Sequence, residues 1–356
     1  MNTRIMHLYR WPIKRGTFSL CFFSLTLALN PSVSVYARTI TDMAGRTLSI
    51  KDTIRRVLPA DPKSSILLMS AADTLLVARA RIPGTSFHTL LSPRYLKLPV
   101  VDSRNQEEIL AKAPDLIIAG LHLPTKSTEQ FDILQKRTGV PVVVIDLTLS
   151  SLDSVYRFLG YLFDNRQLCN ELAFWLKDLF DRIMLYIDNA SAPEQSVYYA
   201  LGANGLMTDP PGSIHTEVLD MLRLKNVASV NHKGGGHAMV SMEQILQWNP
   251  QVILTASFRG GDNATASAFN STIWSGVAAV RNRQIYLIPA QPFGWLDHPS
   301  SVNRIAGLIW LTHVFYKRDI ELTIGDLRSF YSRFYGYNMD SKIAHDLLLS
   351  TKCMER

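Results

Sequence analysis

The chain of 356 residues is long enough for two ordinary domains, each with its own core. Apolar residues make up 47% of it and charged residues 19%, which is typical of a globular protein and unlike a disordered or low-complexity chain. The formal charge is +7, but no run of Lys or Arg is interleaved with aromatic residues, so we expect no nucleic-acid partner.

Residues 1–37 have the features of a cleavable secretory signal peptide. Four basic residues and no acidic ones accompany an apolar run over 18–29, which is too short for a permanent membrane span. Val35-Tyr36-Ala37 offers small residues where signal peptidase reads them, so cleavage is predicted after Ala37. It would lower the formal charge from +7 to +3, with 33 basic against 30 acidic residues. Cys21 lies inside the apolar run after a large residue, so we expect a soluble periplasmic protein without a lipid anchor.

After residue 37, strand-like and helix-like segments alternate. Residues 38–50 predict a β-hairpin around a Gly-containing turn. Ile66–Met69 is typical of a buried strand and Ala71–Ala80 of a helix. Apolar, β-branched runs predict parallel strands at Leu116–Ala119, Val142–Ile145, Val197–Leu201, Val252–Thr255 and Ile285–Ile288. This alternation predicts an open, doubly wound α/β sheet.

The middle of the chain, residues 151–189, predicts a helical segment that separates two α/β regions. Its apolar residues recur at three- and four-residue spacing and predict one face of a long helix. They are Leu168, Leu172, Trp175, Leu179, Ile183 and Tyr186. We therefore expect an N-terminal α/β lobe over 38–150, a linking helical segment over 151–189, and a C-terminal α/β lobe with terminal helices over 190–356.

An internal repeat supports two related lobes. Residues 107–118 align with residues 243–254 at a constant offset of 136, and Glu, Ile, Leu, Pro and the first Ile of the strand are identical. In each copy a short helix ends before a Pro that cannot continue it, and the chain then enters a buried strand. Two such units on either side of a long helix favour a duplicated architecture.

These motifs resemble those of the periplasmic binding proteins for iron-siderophores, haem, cobalamin and related metal chelates. The resemblance rests on Asp42-x-x-Gly45-Arg46, on the paired Glu-x-Ile-Leu-x-x-x-Pro units and on Trp274-x-x-Val277. The segment from Pro292 to Arg304 is similar to a branch associated with iron or nickel complexes and with molybdate or tungstate. The resemblance implies two Rossmann-like lobes joined by one long helix, with the ligand between them.

The resemblance also implies a partner. In this family the Glu seven residues before the Pro, one in each lobe, docks into arginine pockets of the permease dimer in the inner membrane, which works with a cytoplasmic ATPase. Glu107 and Glu243 match those positions. Two carboxylates suit charge-steered docking, while the alternative role is a stabilising charge at a helix N-terminus.

Candidate ligand residues lie in loops that follow predicted strands, where α/β folds bind solutes. Imidazole is a suitable ligand for nickel, cobalt, copper, zinc and iron, which favours a metal-chelate site. The alternatives are solvated surface histidines, core aromatic residues and, for Arg304, an anchor to a neighbouring carboxylate. The predicted ligand-binding residues are His88, Arg94, Tyr95, His122, His215, Trp295 and Arg304, with His232, His237 and His298 as metal ligands.

The sequence therefore predicts a monomeric solute-binding protein of an ABC importer, which captures an iron or a nickel/cobalt chelate as cargo. Neither a GxSxG, P-loop, HExxH nor CxxC motif is present, so no catalytic cofactor is expected. A molybdate or tungstate ion, bound by some of Arg94, Arg104, Arg259 and Arg304, is an alternative ligand. A periplasmic metal-dependent hydrolase and a ligand sensor for a membrane partner are less favoured functions.

Overall fold

The computed structural model describes residues 37–82, 90–123, 127–191, 193–231, 237–256, 268–349 and 351. The candidate residues His88, His232 and Arg259 lie outside this part of the chain, as does nearly all of the predicted signal peptide. None of the described helices is both long and apolar enough to cross a bilayer.

The described chain alternates strands and helices as expected. The strands are β1 (Ala37–Thr41), β2 (Thr47–Lys51), β3 (Val57–Pro59), β4 (Arg79–Ala80), β5 (Val100–Val101), β6 (Leu116–Leu121), β7 (Val142–Asp146), β8 (Ser196–Ala200), β9 (Met207–Thr208), β10 (Lys225–Asn226), β11 (Ala238–Met239), β12 (Val252–Ala256) and β13 (Ile285–Ile288). The α-helices are α1 (Pro62–Ala71), α2 (Pro93–Lys97), α3 (Gln106–Ala111), α4 (Glu129–Thr138), α5 (Leu152–Leu162), α6 (Arg166–Asn189), α7 (Glu217–Met221), α8 (Met242–Trp248), α9 (Ala278–Arg281), α10 (Arg304–Tyr316), α11 (Ile320–Tyr335) and α12 (Ser341–Leu349).

The two largest parallel sheets of the described chain lie in separate lobes, which confirms the two-lobed α/β prediction. The first has the strand order β3-β6-β7 and the second β10-β8-β12-β13. The five predicted parallel strands are confirmed as β6, β7, β8, β12 and β13, within one or two residues at their ends. The exact domain boundaries at residues 150 and 190 remain a prediction.

The opening hairpin is confirmed, with β1 and β2 paired antiparallel from Ala37↔Lys51 to Thr41↔Thr47. Its turn contains Asp42 and Gly45, and Gly45 has the positive φ of 80° that glycine adopts without steric cost. The buried carboxylate of Asp42 binds the Arg46 guanidinium at 2.7 Å and accepts the Val144 N–H at 3.0 Å. The Asp42-x-x-Gly45-Arg46 motif thus fastens the hairpin to strand β7.

The interpretation of residues 66–80 was wrong. Ile66–Met69 lies inside helix α1, and Ala71–Ala80 contains the end of that helix, a short 3-10 turn and strand β4. Helix α1 begins at Asp61-Pro62, where the Asp61 side chain accepts the N–H groups of Lys63 and Ser64. A short apolar run does not distinguish a buried helix from a buried strand, and this N-cap was the deciding signal.

The linking segment is two helices, α5 and the 24-residue α6, separated at residues 163–165. Leu172, Trp175, Leu179 and Ile183 are buried as predicted, and they join a core shared by the helical segment and both sheets. Leu168 and Tyr186, at the two ends of the predicted apolar face, are 41% and 37% exposed, which corrects the prediction there. Few packing partners are available near the ends of so long a helix.

Candidate functional site

Three histidines from distant parts of the sequence meet in the C-terminal lobe. The ring centroids of His215 and His237 are 5.0 Å apart, those of His237 and His298 5.3 Å, and those of His215 and His298 6.2 Å. Asp209 joins them, and it offers a donor atom within 4.8 Å of donor atoms on His215 and His237. The histidine side chains are 23%, 13% and 39% exposed in chain order, so a solute can reach them.

Strand register brings His237 to Asp209. Strand β9 pairs antiparallel with β11 so that Thr208 lies opposite Ala238. The next residue along β9 is Asp209, and the residue before Ala238 is His237, so the two stand across from each other. Nδ1 of His237 lies 2.6 Å from Oδ2 of Asp209, whose side chain is 1% exposed.

His215 is presented by the loop over residues 210–216, which is closed by its own hydrogen bonds. The Thr216 hydroxyl donates to the Pro210 carbonyl at 2.8 Å, and the Gly212 N–H donates to the Asp220 carboxylate at 2.8 Å. Nδ1 of His215 lies 2.5 Å from Oδ2 of Asp297. The loop presents the His215 ring, and a carboxylate from a different part of the chain holds that ring in place.

The third imidazole lies on the segment that follows β13. A Cβ on Gly294 would meet the Asp297 carbonyl at 2.3 Å, so only glycine permits the tight fold that places Asp297 and His298 together. A Cβ on Gly307 would meet the Trp295 carbonyl at 2.2 Å, so helix α10 packs directly against this segment. His298 itself has a φ of 57°, an uncommon conformation for a non-glycine residue and one often found at functional sites.

Asp297 is the electrostatic centre of the cluster. Its oxygens accept from His215 and from the Ser300 hydroxyl, and Nδ1 of His298 lies 3.2 Å from Oδ2. Burial alone would raise the pKa of Asp297, but these hydrogen bonds and the neighbouring imidazoles hold it well below the usual range, so the carboxylate is ionised at neutral pH. Burial raises the pKa of Tyr199 beneath it, and the charges of Asp297 and Asp209 raise that pKa further.

The imidazole of His298 stays neutral to lower pH than an ordinary histidine. Burial lowers its pKa, the charges of His237 and His215 lower it further, and the attraction of Asp297 only partly opposes them. A neutral imidazole is a metal ligand, whereas a protonated one is not. A neutral His298 imidazole would therefore be able to bind a metal at neutral pH.

The pairing of carboxylate with imidazole is the usual support for metal-binding histidines. When Nδ1 donates to a carboxylate, the ring is fixed in one orientation, and Nε2 becomes the more basic nitrogen and the one that binds metal. Asp209 does this for His237, and Asp297 does it for His215. The donor set fits a first-row transition metal held as cargo.

Two predicted aromatic contacts are corrected because both rings are in the core. Tyr95 is 1% exposed, and its hydroxyl lies 2.8 Å from the Ser65 hydroxyl. Trp295 is also 1% exposed, and its indole N–H donates to the Tyr331 hydroxyl at 3.2 Å. Neither ring can line the histidine cluster in this conformation, which agrees with the core alternative for aromatic residues.

The remaining predicted ligand residues lie elsewhere. Arg94 is half-exposed on α2 and donates to the carbonyls of Asp73 and Thr74. Arg304 is completely buried and pairs with Glu217, which corrects its role as a ligand contact and matches the alternative of a structural anchor. His122 follows β6, is buried, and its Nε2 lies 3.7 Å from the Glu217 carboxylate.

Sequence reasoning missed Asp209 and Asp297. Asp297 was visible as the neighbour of His298, and Asp209 as the acidic residue before Pro210-Pro211. Neither carried a recognisable motif, because each carboxylate acts on a histidine that is far away in the sequence.

Glu107 and Glu243 are both exposed in the first turns of helices α3 and α8. Asn105 caps α3 and Ser241 caps α8 through side-chain hydrogen bonds. The pKa of Glu243 is lowered by hydrogen bonds from its own backbone N–H and from the Ser241 hydroxyl. Both carboxylates are thus available at the surface.

The comparisons with known proteins agree with this architecture. The model of a family described as periplasmic binding protein matches residues 90–292. An ABC transporter solute binding protein from Sulfurospirillum deleyianum has a similar structure, with 26% identity, a TM-score of 0.77 and coverage of 87% of this chain and 98% of that one.

A second relative is the molybdate-binding protein MolA of Haemophilus influenzae, 24% identical over 349 residues, which covers 84% of this chain and 91% of that protein. Its molybdate-bound structure has a TM-score of 0.66 at 19% identity, with 85% and 99% of the two chains covered. A Helicobacter pylori CeuE structure with Ni-His has a TM-score of 0.62 at 13% identity, with 86% and 98% covered. The matched family model spans more than half of the sequence, and the chain therefore belongs to the periplasmic binding protein family, whose members serve ABC transporters as solute-binding proteins.

Proposed function

We propose that this solute-binding protein captures a transition-metal complex, with nickel or cobalt favoured, through His215, His237 and His298. The observation that carries the proposal is the convergence of three imidazoles on two buried carboxylates. Small-molecule donors would complete the coordination shell of the metal, as they do in a metal chelate. An iron chelate is the other metal cargo to be tested.

The charges around the cluster favour a cation over an oxoanion. Asp209 and Asp297 are both almost inaccessible to solvent, so water screens them weakly and their negative charges would oppose molybdate. Among the described residues, the arginines proposed for an oxoanion are held elsewhere. Arg94 binds backbone carbonyls, Arg104 binds Asp102, and Arg304 binds Glu217.

Molybdate remains the second candidate because one relative, MolA, is a molybdate-binding protein. In that case protonated imidazoles would supply the positive charge, and the two carboxylates would keep them protonated. The two candidates therefore require opposite protonation states of the same histidines, which makes them separable by experiment.

Isothermal titration calorimetry of metal-free protein would test the proposal. The titrants are Ni²⁺ and Co²⁺, each with and without free histidine, then a ferric chelate, and molybdate. We expect saturable binding of a metal complex that the His215→Ala/His237→Ala variant loses, whereas His345→Ala, at a half-exposed histidine of α12, retains it. Molybdate binding without any metal binding would refute the metal proposal and favour the second candidate.

We also propose that Glu107 and Glu243 dock onto a permease dimer. Leu110 and Leu246 follow them by three residues, on the same side of each helix, and are 44% and 43% exposed. Each lobe therefore presents a carboxylate beside an exposed leucine in an equivalent setting. Two equivalent surface patches suit a partner that has two equivalent subunits.

Delivery of the ligand to a permease in the inner membrane requires export of this protein to the periplasm. Cleavage after Ala37 would leave residues 38–41 of strand β1 to pair with β2. Mass spectrometry of the protein from a periplasmic extract would identify its N-terminus, and a mature chain that starts at Arg38 without lipid would support the prediction.

A further inference from the structure

Glu217, two residues after His215, ties the loop that carries this histidine to the N-terminal lobe. Oε1 of Glu217 accepts the N–H of Leu149 at 2.6 Å. Leu149 lies just beyond the carboxyl end of β7, where the chain turns into the linking helices. A side chain next to the ligand site in one lobe is therefore anchored on the other lobe.

Arg304 completes this contact from the start of helix α10. Its guanidinium donates to Oε2 of Glu217 and to the Leu147 carbonyl, and its Nε donates to the Ser301 carbonyl at 3.1 Å. The Arg304 side chain is fully buried, whereas that of Glu217 is 21% exposed. Since a buried guanidinium needs its partner carboxylate, the pair has one strongly preferred arrangement.

A second contact extends the same junction. Ser301 donates its hydroxyl proton to the carbonyl of Lys63 on helix α1 at 2.7 Å. Ser301 belongs to the same segment as Asp297 and His298. Two of the histidine-bearing segments are thus attached to the N-terminal lobe close to the imidazoles they carry.

We propose that Glu217 is a positioning residue of the ligand site, which sets the place of His215 by holding its loop against the ends of β6 and β7. The proposal rests on the proposed function, since it takes the histidine cluster as the ligand site. It makes ligand affinity depend on the contact between the lobes, and ligand binding must strengthen that contact in return, by linkage.

A variant pair separates positioning from general stability. Glu217→Gln removes the charge from the junction. Asp326→Asn is its matched control, because Asp326 on α11 also pairs with a buried arginine, Arg318, at 2.5 Å and with Arg182 at 3.0 Å. None of the contacts found for Asp326 within the described chain involves the histidine cluster. Glu217→Asp, which keeps the charge on a shorter side chain, serves if Glu217→Gln does not fold.

The readouts are the affinity for Ni²⁺ with free histidine, measured well below the unfolding temperature, and the visible spectrum of bound Co²⁺. Both substitutions should lower the thermal midpoint. Only Glu217→Gln should weaken binding, by about tenfold, as loss of a supporting residue does at metal sites, and only it should alter the Co²⁺ spectrum.

Equal affinities and identical spectra for Glu217→Gln and Asp326→Asn would overturn the positioning role while leaving the proposed function intact. If the wild-type protein binds molybdate instead of metal, the same comparison is made with molybdate. Weaker molybdate binding by Glu217→Gln than by Asp326→Asn would then support the positioning role, and equal affinities would overturn it. Absence of any binding by the wild-type protein would refute the proposed function itself, and the positioning role with it.

Discussion

The two lobes repeat one helix–turn–strand unit and differ in the loops beyond it. Ile109 and Ile245 are each completely buried in the core of their own lobe, and burial of such a side chain contributes about 1.5–3 kcal/mol. Ala113 and Asn249 each turn the chain with a left-handed φ, of 41° and 42°. Beyond the strands the similarity ends.

The difference lies at the carboxyl ends of the strands. In the N-terminal lobe β6 leads into His122, which is buried against Glu217 of the other lobe. In the C-terminal lobe β8 leads into β9 and Asp209, and β13 leads into Asp297 and His298. The two lobes share the surface proposed to meet a symmetric partner, whereas the proposed ligand groups are concentrated in one lobe.

The largest effect should come from breaking the cluster itself. Substitution His215→Ala removes one imidazole and leaves Asp297 without a principal hydrogen-bond donor, so we expect metal affinity to fall by about a hundredfold or more. Competition with a chromophoric chelator measures this. His313→Ala, on helix α10, is the control because its Nδ1 lies 2.7 Å from the Arg318 carbonyl. Equal affinities for the two variants would contradict the assignment.

The next effect concerns the carboxylates that support the imidazoles. Asp297→Asn and Asp209→Asn each keep the side-chain size but remove the charge beside a histidine, and we expect each to weaken metal binding by about 10- to 100-fold. The same chelator competition applies. Metal affinities equal to that of the wild-type protein in both variants would contradict the supporting role of the two carboxylates.

Substitution of the two surface glutamates should weaken docking onto the permease without changing the affinity for the ligand. Glu107→Arg and Glu243→Arg each place a positive charge where we expect the permease to be basic, so stimulation of the transporter ATPase in liposomes should require at least about tenfold more binding protein. Glu171→Arg on α6, at an exposed acidic residue of another surface, is the control. Equivalent losses for the two lobes would confirm the symmetry, and a loss for only one of them would limit docking to that lobe.

Metal binding at the asymmetric site should also depend on pH. The lowered pKa of His298 keeps its ring neutral at pH 7, and protons compete with metal as pH falls below the usual histidine value of about 6.5. Calorimetry at pH 7, 6 and 5 should therefore show Ni²⁺ affinity falling by up to about tenfold per unit for each imidazole that protonates.

The stability of metal-free protein should change in the same direction. Because the folded pKa of His298 is depressed, the unfolded chain binds more protons between that pKa and about 6.5, and stability is lost as pH falls through this window. Asp297, also depressed, adds a loss only below about pH 4. A thermal midpoint that rises between pH 6.5 and 5 would contradict the assigned shifts.

Local patterns in the sequence were sufficient to predict much of the fold. Short β-branched runs and the Pro after each repeated helix identified strands β6 and β12, because those signals act within a few residues. They failed at Ile66–Met69, where an apolar run is compatible with both helix and strand and only the Asp61 cap distinguishes them. The three histidines that meet in the cluster were all among the predicted candidates, since residue type alone marked them.

By itself, the sequence determined a duplicated α/β chain with a helical link, a pair of matched surface glutamates and a surplus of loop histidines. Tertiary structure alone decided which histidines meet, because β9 and β11 pair across about thirty residues and Asp297 reaches His215 from 82 positions away. It also assigned Arg304 to the junction between the lobes instead of to the ligand. Such contacts depend on strand register and close backbone packing, which are collective properties of the folded chain.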